Sequence, residues 1–346
     1  MNHHIHCILK QWSAQKNQQL WALASIVGIT GSSYRKEGAV MLISEQGQSL
    51  GMLSGGCLEA DIVLQAQKCI FFNKSKMLHY DTQDQDEHSA IKLLGCGGSI
   101  SVLIQPLTNQ NNHHNLPCLL NQLNQNKSAV YAVKLSPNEV NECLPTNNHD
   151  LHNLKSIDNK IQIFAFKART HLAIFGAGLD AVPMVKMAQL LGWHVSLLDD
   201  RKNQFGFKHF PQDIDLIRTP LNRETEVSLS FIRQSADVAI IMGHNLKFDA
   251  SALTFMQKSK ARYIGMLGPV HRQEKVIDLL PEKLNLPLYG PIGLDIGSEL
   301  PEEIALSCLA EIQAAINNKH KVTLKRPRIP KQQLAQQAAL KNGYSK

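Results

Sequence analysis

HLAIFGAGLDAVPMVKMAQLLGWHVSLLDDR, residues 171–201, is the stretch whose reading decides the fold. A short apolar run from His171 ends in a turn that places Gly176, Gly178 and Ala181 in the G-x-G-x-x-G/A arrangement. A helical stretch then ends near Leu191, and a second apolar run closes on Asp199 and Asp200. Short apolar runs bounded by turn signals fill strands that are buried on both faces. A carboxylate roughly 20 residues beyond the glycines is where a dinucleotide-binding unit holds ribose hydroxyls. Gly178 would let backbone N–H groups at a helix start approach a phosphate. A glycine turn that merely packs strand on helix has the same letters, so the context has to decide. Pro183 suits the first turn but would remove a backbone donor deeper in the helix.

Downstream, the same alternation continues. DVAIIMG (237–243) and ARYIGML (261–267) are further apolar runs separated by helical stretches, which predicts a doubly wound parallel sheet. Ligands of such sheets bind at the strand ends, which singles out His244 with Asn245 and Asp249, then His271 and Arg272. YGPIGLDIGSELPEE brings Asp295 into a glycine- and proline-rich loop, readable as ligand-facing or as a rigid turn. A last helix is announced by Pro301 with Glu302 and Glu303, and carries Ile304, Cys308, Ile312 and Ala315 on one stripe.

Upstream, the pattern changes. A helix over residues 5–17 precedes the β-compatible ALASIVGIT, and AVMLIS-EQGQ-SLGML reads as a hairpin. After the break SGG, the run CLEADIVLQAQKCIFF takes helical period, with Leu58, Ile62, Ala66 and Cys69 or Ile70 on one face. SISVLIQPL is a strand after a second glycine break at Gly95, Gly97 and Gly98. Between Thr108 and Asn126 ten of nineteen residues are Asn or Gln, which predicts a long surface connection. The alternating KIQIFAF follows, with the main boundary near 168. The expected division is an N-terminal α+β unit (1–107), a connection with short strands completing that half (108–168), a Rossmann-like unit (169–318) and a basic, disordered tail (319–346).

Composition narrows the function. The 346 residues are 43% hydrophobic and 19% charged, which excludes disordered and fibrous classes. Of 36 Lys and Arg against 29 Asp and Glu, eight basic residues and no acid lie in 319–346, leaving 28 against 29 in the body. The net charge of +7 is thus a tail property, and a nucleic-acid partner is not expected. No apolar run reaches the length of a membrane span and the start lacks an export signal, so a cytoplasmic protein without a membrane partner is expected.

Seven widely spaced cysteines (Cys7, Cys57, Cys69, Cys96, Cys118, Cys143, Cys308) fit neither a disulfide framework nor a zinc site. Two stand out. Cys57 follows Gly55 and Gly56 at an apparent helix start, where the dipole favours thiolate. Cys96 lies in LGCGGS beside Gly95 and Gly97. Flanking glycines remove steric cover from a thiol. The other five read as structural.

Together these motifs resemble the XdhC/CoxI family of xanthine dehydrogenase accessory factors. The resemblance rests on TGSSYRKEGAVML, GMLSGGCLEAD, LGCGGSISVLIQPL, HLAIFGAGLDA, LLDDR, MGHNLKFDASAL, YIGMLGP and PIGLDIGSELPEEIALSCLAEI, in that order over most of residues 25–315. It implies an N-terminal XdhC/CoxI domain, a Rossmann-like domain, and an accessory role rather than catalysis. That role is to bind molybdenum cofactor, as molybdopterin or its cytidine dinucleotide, to protect it during sulfuration, and to deliver it to an apo molybdenum hydroxylase. A cysteine desulfurase as sulfur donor and a homodimer accompany that expectation. Cys57 and Cys96 fall on the family's glycine-flanked cysteine positions, as candidate molybdenum contacts, and Gly176, Gly178 and the Asp199–Arg201 segment on its nucleotide-type loop and following strand end; Gly55, Gly56, Gly97, Gly98, His244, Asp249 and Asp295 complete the expected cofactor contacts. Soft thiolates suit a molybdenum centre. On this reading the cofactor lies between the domains, its tail on the Rossmann loop and its metal toward the cysteines. The chain departs from the family at Leu179, where histidine is usual, and at Tyr34, where proline is common. Its single-cysteine GCGG form belongs to the CoxI-like branch, which points to a hydroxylase other than xanthine dehydrogenase.

Two other readings compete. An NAD(P)-dependent oxidoreductase would use the same glycine loop, with Asp199 or Asp200 on the ribose and His244 as acid or base, but leaves the cysteine motifs unexplained. A protein-binding scaffold would use the first domain and the basic tail.

Overall fold

The computed structural model describes residues 3–56, 58–81, 98–137, 139–146, 160–201, 205–222 and 224–319. Helix α1 (Ile5–Gln15) buries Ile8, Leu9 and Trp12. Strand β1 (Trp21–Thr30) pairs antiparallel with β2 (Val40–Ser44), which forms the expected hairpin with β3 (Ser49–Gly51). Helix α2 (Glu59–Phe72) buries Ile62, Ala66, Cys69 and Ile70, the face its period predicts. Strands β4 (Lys76–Asp81) and β5 (Ser99–Leu107) complete a five-stranded antiparallel sheet of order β3-β2-β1-β5-β4. Central β1 is buried on both faces. Trp21, Leu23 and Val27 join α1 on one side, and Ala22, Ala24 and Ile26 join α2 on the other.

The Asn/Gln-rich stretch corrects an expectation. It is not a surface connection throughout, because helix α3 (Leu116–Asn124) buries Leu116, Leu119, Leu120 and Leu123 in the same core as α1. Leucines at i, i+3, i+4 and i+7 make an apolar stripe whatever the composition between them, each contributing roughly 1.5–3 kcal/mol on burial. Strands β6 (Ala129–Lys134), β7 (Glu142–Pro145) and β8 (Ile161–Phe166) then form a small antiparallel sheet, order β7-β6-β8.

The second half is the doubly wound unit its sequence predicts. Strands β9 (His171–Phe175), β10 (His194–Asp199) and β11 (Asp215–Arg218) run parallel, with α4 (Ala181–Leu190) joining the first two. After α5 (Ser230–Ser235) come β12 (Val238–Ile241), α6 (Leu246–Met256), β13 (Tyr263–Met266), α7 (Val270–Ile277) and β14 (Leu288–Tyr289). The order β11-β10-β9-β12-β13-β14 reverses direction between β9 and β12, and that switch point opens a crevice at the carboxyl ends of the strands. Helix α4 and the last helix, α8 (Pro301–Ile316), cover one face; α5, α6 and α7 cover the other. In α8 the buried stripe centres on Ala305, Cys308, Leu309 and Ile312, with Ile304 and Ala315 at its margins.

Helix α1 also touches the Rossmann unit. Lys10 Nζ lies 2.8 Å from Asp213 Oδ1, and a Cβ added to Gly192 would stand 2.7 Å from Cβ of His4. Arg169 donates to His194 Nδ1 at 3.3 Å. Burial, then the charges of His6 and Arg169, push the His4 imidazole down to about 4. Gly192 and His194 precede or open β10, so this joint is at the amino ends of the strands, away from the crevice. No described helix is long and apolar enough to cross a membrane.

Candidate functional site

The loop after β9 meets the loop after β12 at the switch point. Gly176 has φ 119°, and a Cβ there would lie 2.5 Å from the Met242 carbonyl oxygen, so only glycine lets the two backbones approach this closely. Gly178 is covered by a side chain: a Cβ would collide with Oδ1 of Asp180. The other oxygen of Asp180 accepts from His244 Nε2 at 2.8 Å, across the crevice. His244 is held in the left-handed region at φ 57°, which non-glycine residues rarely adopt. The residue after it, Asn245, caps α6 by accepting from the Lys247 and Phe248 amides at 3.0 and 3.1 Å.

Two further carboxylates shape this end of the sheet from inside. Asp199 is 1% exposed and fully engaged: Oδ2 accepts from the Ala177 amide and Arg201 at 2.6 Å each, and Oδ1 accepts from the Arg201 amide and Nε at 2.9 Å. Burial alone would raise its carboxyl, but the Arg201 and Ala177 hydrogen bonds outweigh that and hold it below the usual range. In this arrangement Asp199 fixes the glycine loop and the Arg201 guanidinium, with no oxygen turned to a ribose. Asp249 is fully buried, accepts from the Gly243 amide at 2.9 Å and pairs with Arg272. There burial dominates and raises the carboxyl, although Arg272 opposes it. The pair thereby ties the turn before His244 to α7. Asp295 is exposed on the loop before α8.

The N-terminal glycine loop is also closed by a carboxylate. Glu59, first residue of α2, accepts from the Leu53 amide (3.1 Å), the Ser54 amide (2.7 Å), the Ser54 hydroxyl (2.5 Å) and the Gly56 amide (2.8 Å). Burial would raise its carboxyl, yet these hydrogen bonds, led by Ser54, hold it below the usual range. Gly55 and Gly56 take φ 82° and 115°, and the ring of Tyr34 stands 3.5 Å from where a Gly55 Cβ would be. Gly98 packs against the same segment, since a Cβ there would collide with backbone oxygens of Thr30 and Ser32. The flanks of both cysteine motifs therefore meet on residues 30–34. Cys57, Cys96 and Gly97 themselves lie outside the described residues. Among the described residues no cluster of three or more His, Cys, Asp or Glu side chains is placed to hold a metal.

Sequence reasoning singled out the glycines and missed the two acids that close them, Glu59 and Asp180. The signal was available, because an acid at the start of a helix just after a glycine loop is placed where the N–H groups converge.

A doubly wound Rossmann unit behind an antiparallel α+β unit, each with a glycine loop at a helix start, defines the class of protein: a two-part α/β protein with a crevice at the switch point of its parallel sheet. The comparisons with known proteins narrow the class. The family described as XdhC Rossmann domain matches residues 172–312, and that described as XdhC and CoxI family matches residues 14–81. A crystal structure described as a xanthine dehydrogenase from Bacillus halodurans superposes with a TM-score of 0.75 at 30% identity, over 93% of this chain and 98% of that one. The chain belongs to the XdhC and CoxI family. Among curated relatives, a probable xanthine dehydrogenase subunit of Bacillus subtilis is 29% identical over 86% of this chain and 93% of its own length. The molybdenum cofactor insertion chaperone PaoD of Escherichia coli is 24% identical over 84% of this chain and 81% of its own.

Proposed function

We propose that the protein binds molybdenum cofactor and inserts it into a molybdenum hydroxylase of the xanthine dehydrogenase type, acting as a maturation factor. The observation that carries this reading is the match to an insertion chaperone through both units, rather than through the Rossmann unit alone. The cofactor is cargo: a pterin dithiolene that holds molybdenum and ends in a phosphate or a cytidine dinucleotide. The crevice fits that end, because the Gly178 face already accommodates a carboxylate at the start of α4. The glycine-flanked loops that carry Cys57 and Cys96 supply soft donors for the metal end.

On this reading the chain protects the cofactor while sulfur is exchanged onto it, with a cysteine desulfurase as donor, and works in the cytoplasm, as a homodimer. The nicotinamide alternative loses Asp199, whose oxygens are committed to Arg201 and the Ala177 amide, and rests on the exposed Asp200 for the ribose. The test is to mix purified protein with molybdenum cofactor, remove unbound ligand by gel filtration, and assay the protein peak for molybdenum and for oxidised-pterin fluorescence. Near-stoichiometric loading is expected, with loss of molybdenum in the Cys57→Ala, Cys96→Ala double variant. An empty peak, together with a melting temperature raised by NAD or NADP, would favour the oxidoreductase.

A further inference from the structure

Asp180 and His244 are not needed to hold the crevice together. The walls are already fixed by β9 and β12, by Asp199 behind the glycine loop, and by the Asp249–Arg272 pair behind the Gly243 turn. What the pair does is cover Gly178, the one glycine of the loop whose face is blocked by a side chain rather than by backbone.

We propose that Asp180 and His244 are a latch: the Asp180 carboxylate occupies the phosphate position on Gly178, and an incoming phosphate displaces it and takes over His244. This rests on the reading that the crevice receives the phosphate-bearing end of the cofactor, and it assigns the regulation of that site.

Four observations support it. First, Asp180 directly precedes α4, yet its side chain caps no amide there, so its charge is not spent on the helix. Second, its hydrogen bond crosses to the opposite loop, and His244 is 57% exposed against 30% for Asp180, an exchangeable surface pair. Third, the two halves differ in freedom. His244 is presented by a turn pinned on both sides, through the Gly243 amide on Asp249 and the Asn245 cap. Asp180 has a short side chain that needs only to rotate to uncover Gly178. Fourth, Glu59 shows what a permanent closure looks like, with four hydrogen bonds from its own loop, whereas Asp180 is held by one from across the crevice. A phosphate carries up to two negative charges and three acceptor oxygens, so it outcompetes a carboxylate for the same imidazole. Arg201, near enough to feel the charge of Asp180, adds to the attraction.

The experiment is calorimetric titration of the full-length protein with CDP, and with inorganic phosphate as the smaller probe. Wild type is compared with Asp180→Ala, Asp180→Asn and His244→Gln, each checked for an unchanged near-UV circular dichroism spectrum. The latch predicts opposite signs: both Asp180 variants bind CDP roughly 5–10-fold tighter and His244→Gln roughly 10-fold weaker, the scale of one charged pair. Asp180→Asn keeps the shape of the side chain, so it tests the charge even if Asp180→Ala folds poorly. A pair that only shapes the crevice would weaken binding in every variant, and that result overturns the latch. Wild-type binding with no gain in the Asp180 variants overturns the latch and leaves the crevice reading standing. No binding of either probe by any variant overturns both.

Discussion

The Gly55–Gly56 loop and the Gly176–Gly178 loop each precede a helix, and each is covered by an acid from that helix's start. In the first, Glu59 is half-buried and takes four donors from the loop itself, one of them a hydroxyl. In the second, Asp180 takes none from its own loop and leans on a single imidazole across a crevice. A carboxylate that satisfies its own loop fixes that loop's backbone geometry. A carboxylate that only covers its loop can move aside without breaking a hydrogen bond of that loop.

The largest effect expected is at Glu59. Replacing it by alanine leaves the nearly buried Ser54 and the Leu53 amide without their acceptor, and hydrogen bonds to a charged group contribute about 1.5–3 kcal/mol each without adding fully. We expect Glu59→Ala to lose about 3–4 kcal/mol in urea unfolding. A loss below about 1 kcal/mol would erase the distinction between the loops. Next come the glycines. Gly176→Ala meets both an unfavourable φ and the Met242 carbonyl, for about 3 kcal/mol, while Gly56→Ala at nearly the same φ meets no atom within 4 Å and should cost about 1–2 kcal/mol. Equal losses would mean that the Gly176 backbone relaxes away from β12.

Acid sharpens the comparison further. Because the folded Glu59 carboxyl titrates below its unfolded value of 4.5, its contribution is fully present above that value and is lost as pH falls through the lowered one. The stability difference between wild type and Glu59→Gln should therefore be flat from pH 7 to about 5 and shrink below it. Both proteins share a separate loss. Burial, then His194, pushes His171 down to about 4 from 6.5, so the unfolded chain takes up its proton first and stability falls as pH drops from 6.5 toward 4. The smallest effect is at Asp180, whose exposed pair should contribute no more than about 0.5–1 kcal/mol, so that Asp180→Ala unfolds almost as wild type.

The Rossmann unit was legible because HLAIF, HVSLLDD and DVAIIMG bury both faces, which leaves little to the choice of residue at each position. Helix α3 was hidden by its composition, since a count of Asn and Gln ignores four leucines at helical spacing. The glycine loops could be seen as loops, but their occupants could not. That Asp199 turns inward depends on Arg201 folding back over it from two residues away, and that Asp180 faces His244 depends on a separation of 64 positions closed only by the sheet. Letters report which groups are near a loop in the chain. They do not report which of those groups the fold has already used.

The contacts of His4 and α1 with the turns before β10 and β11 have a consequence for the order of events during synthesis. Lys10 finds Asp213 only after some two hundred further residues have left the ribosome, so α1 can settle on its own sheet long before the joint exists. The seam between the units therefore forms after the N-terminal unit's own contacts and, being a surface ion pair and a histidine on a glycine turn, is among the first to open. A nascent chain of this design carries a finished N-terminal unit while its crevice is still being translated.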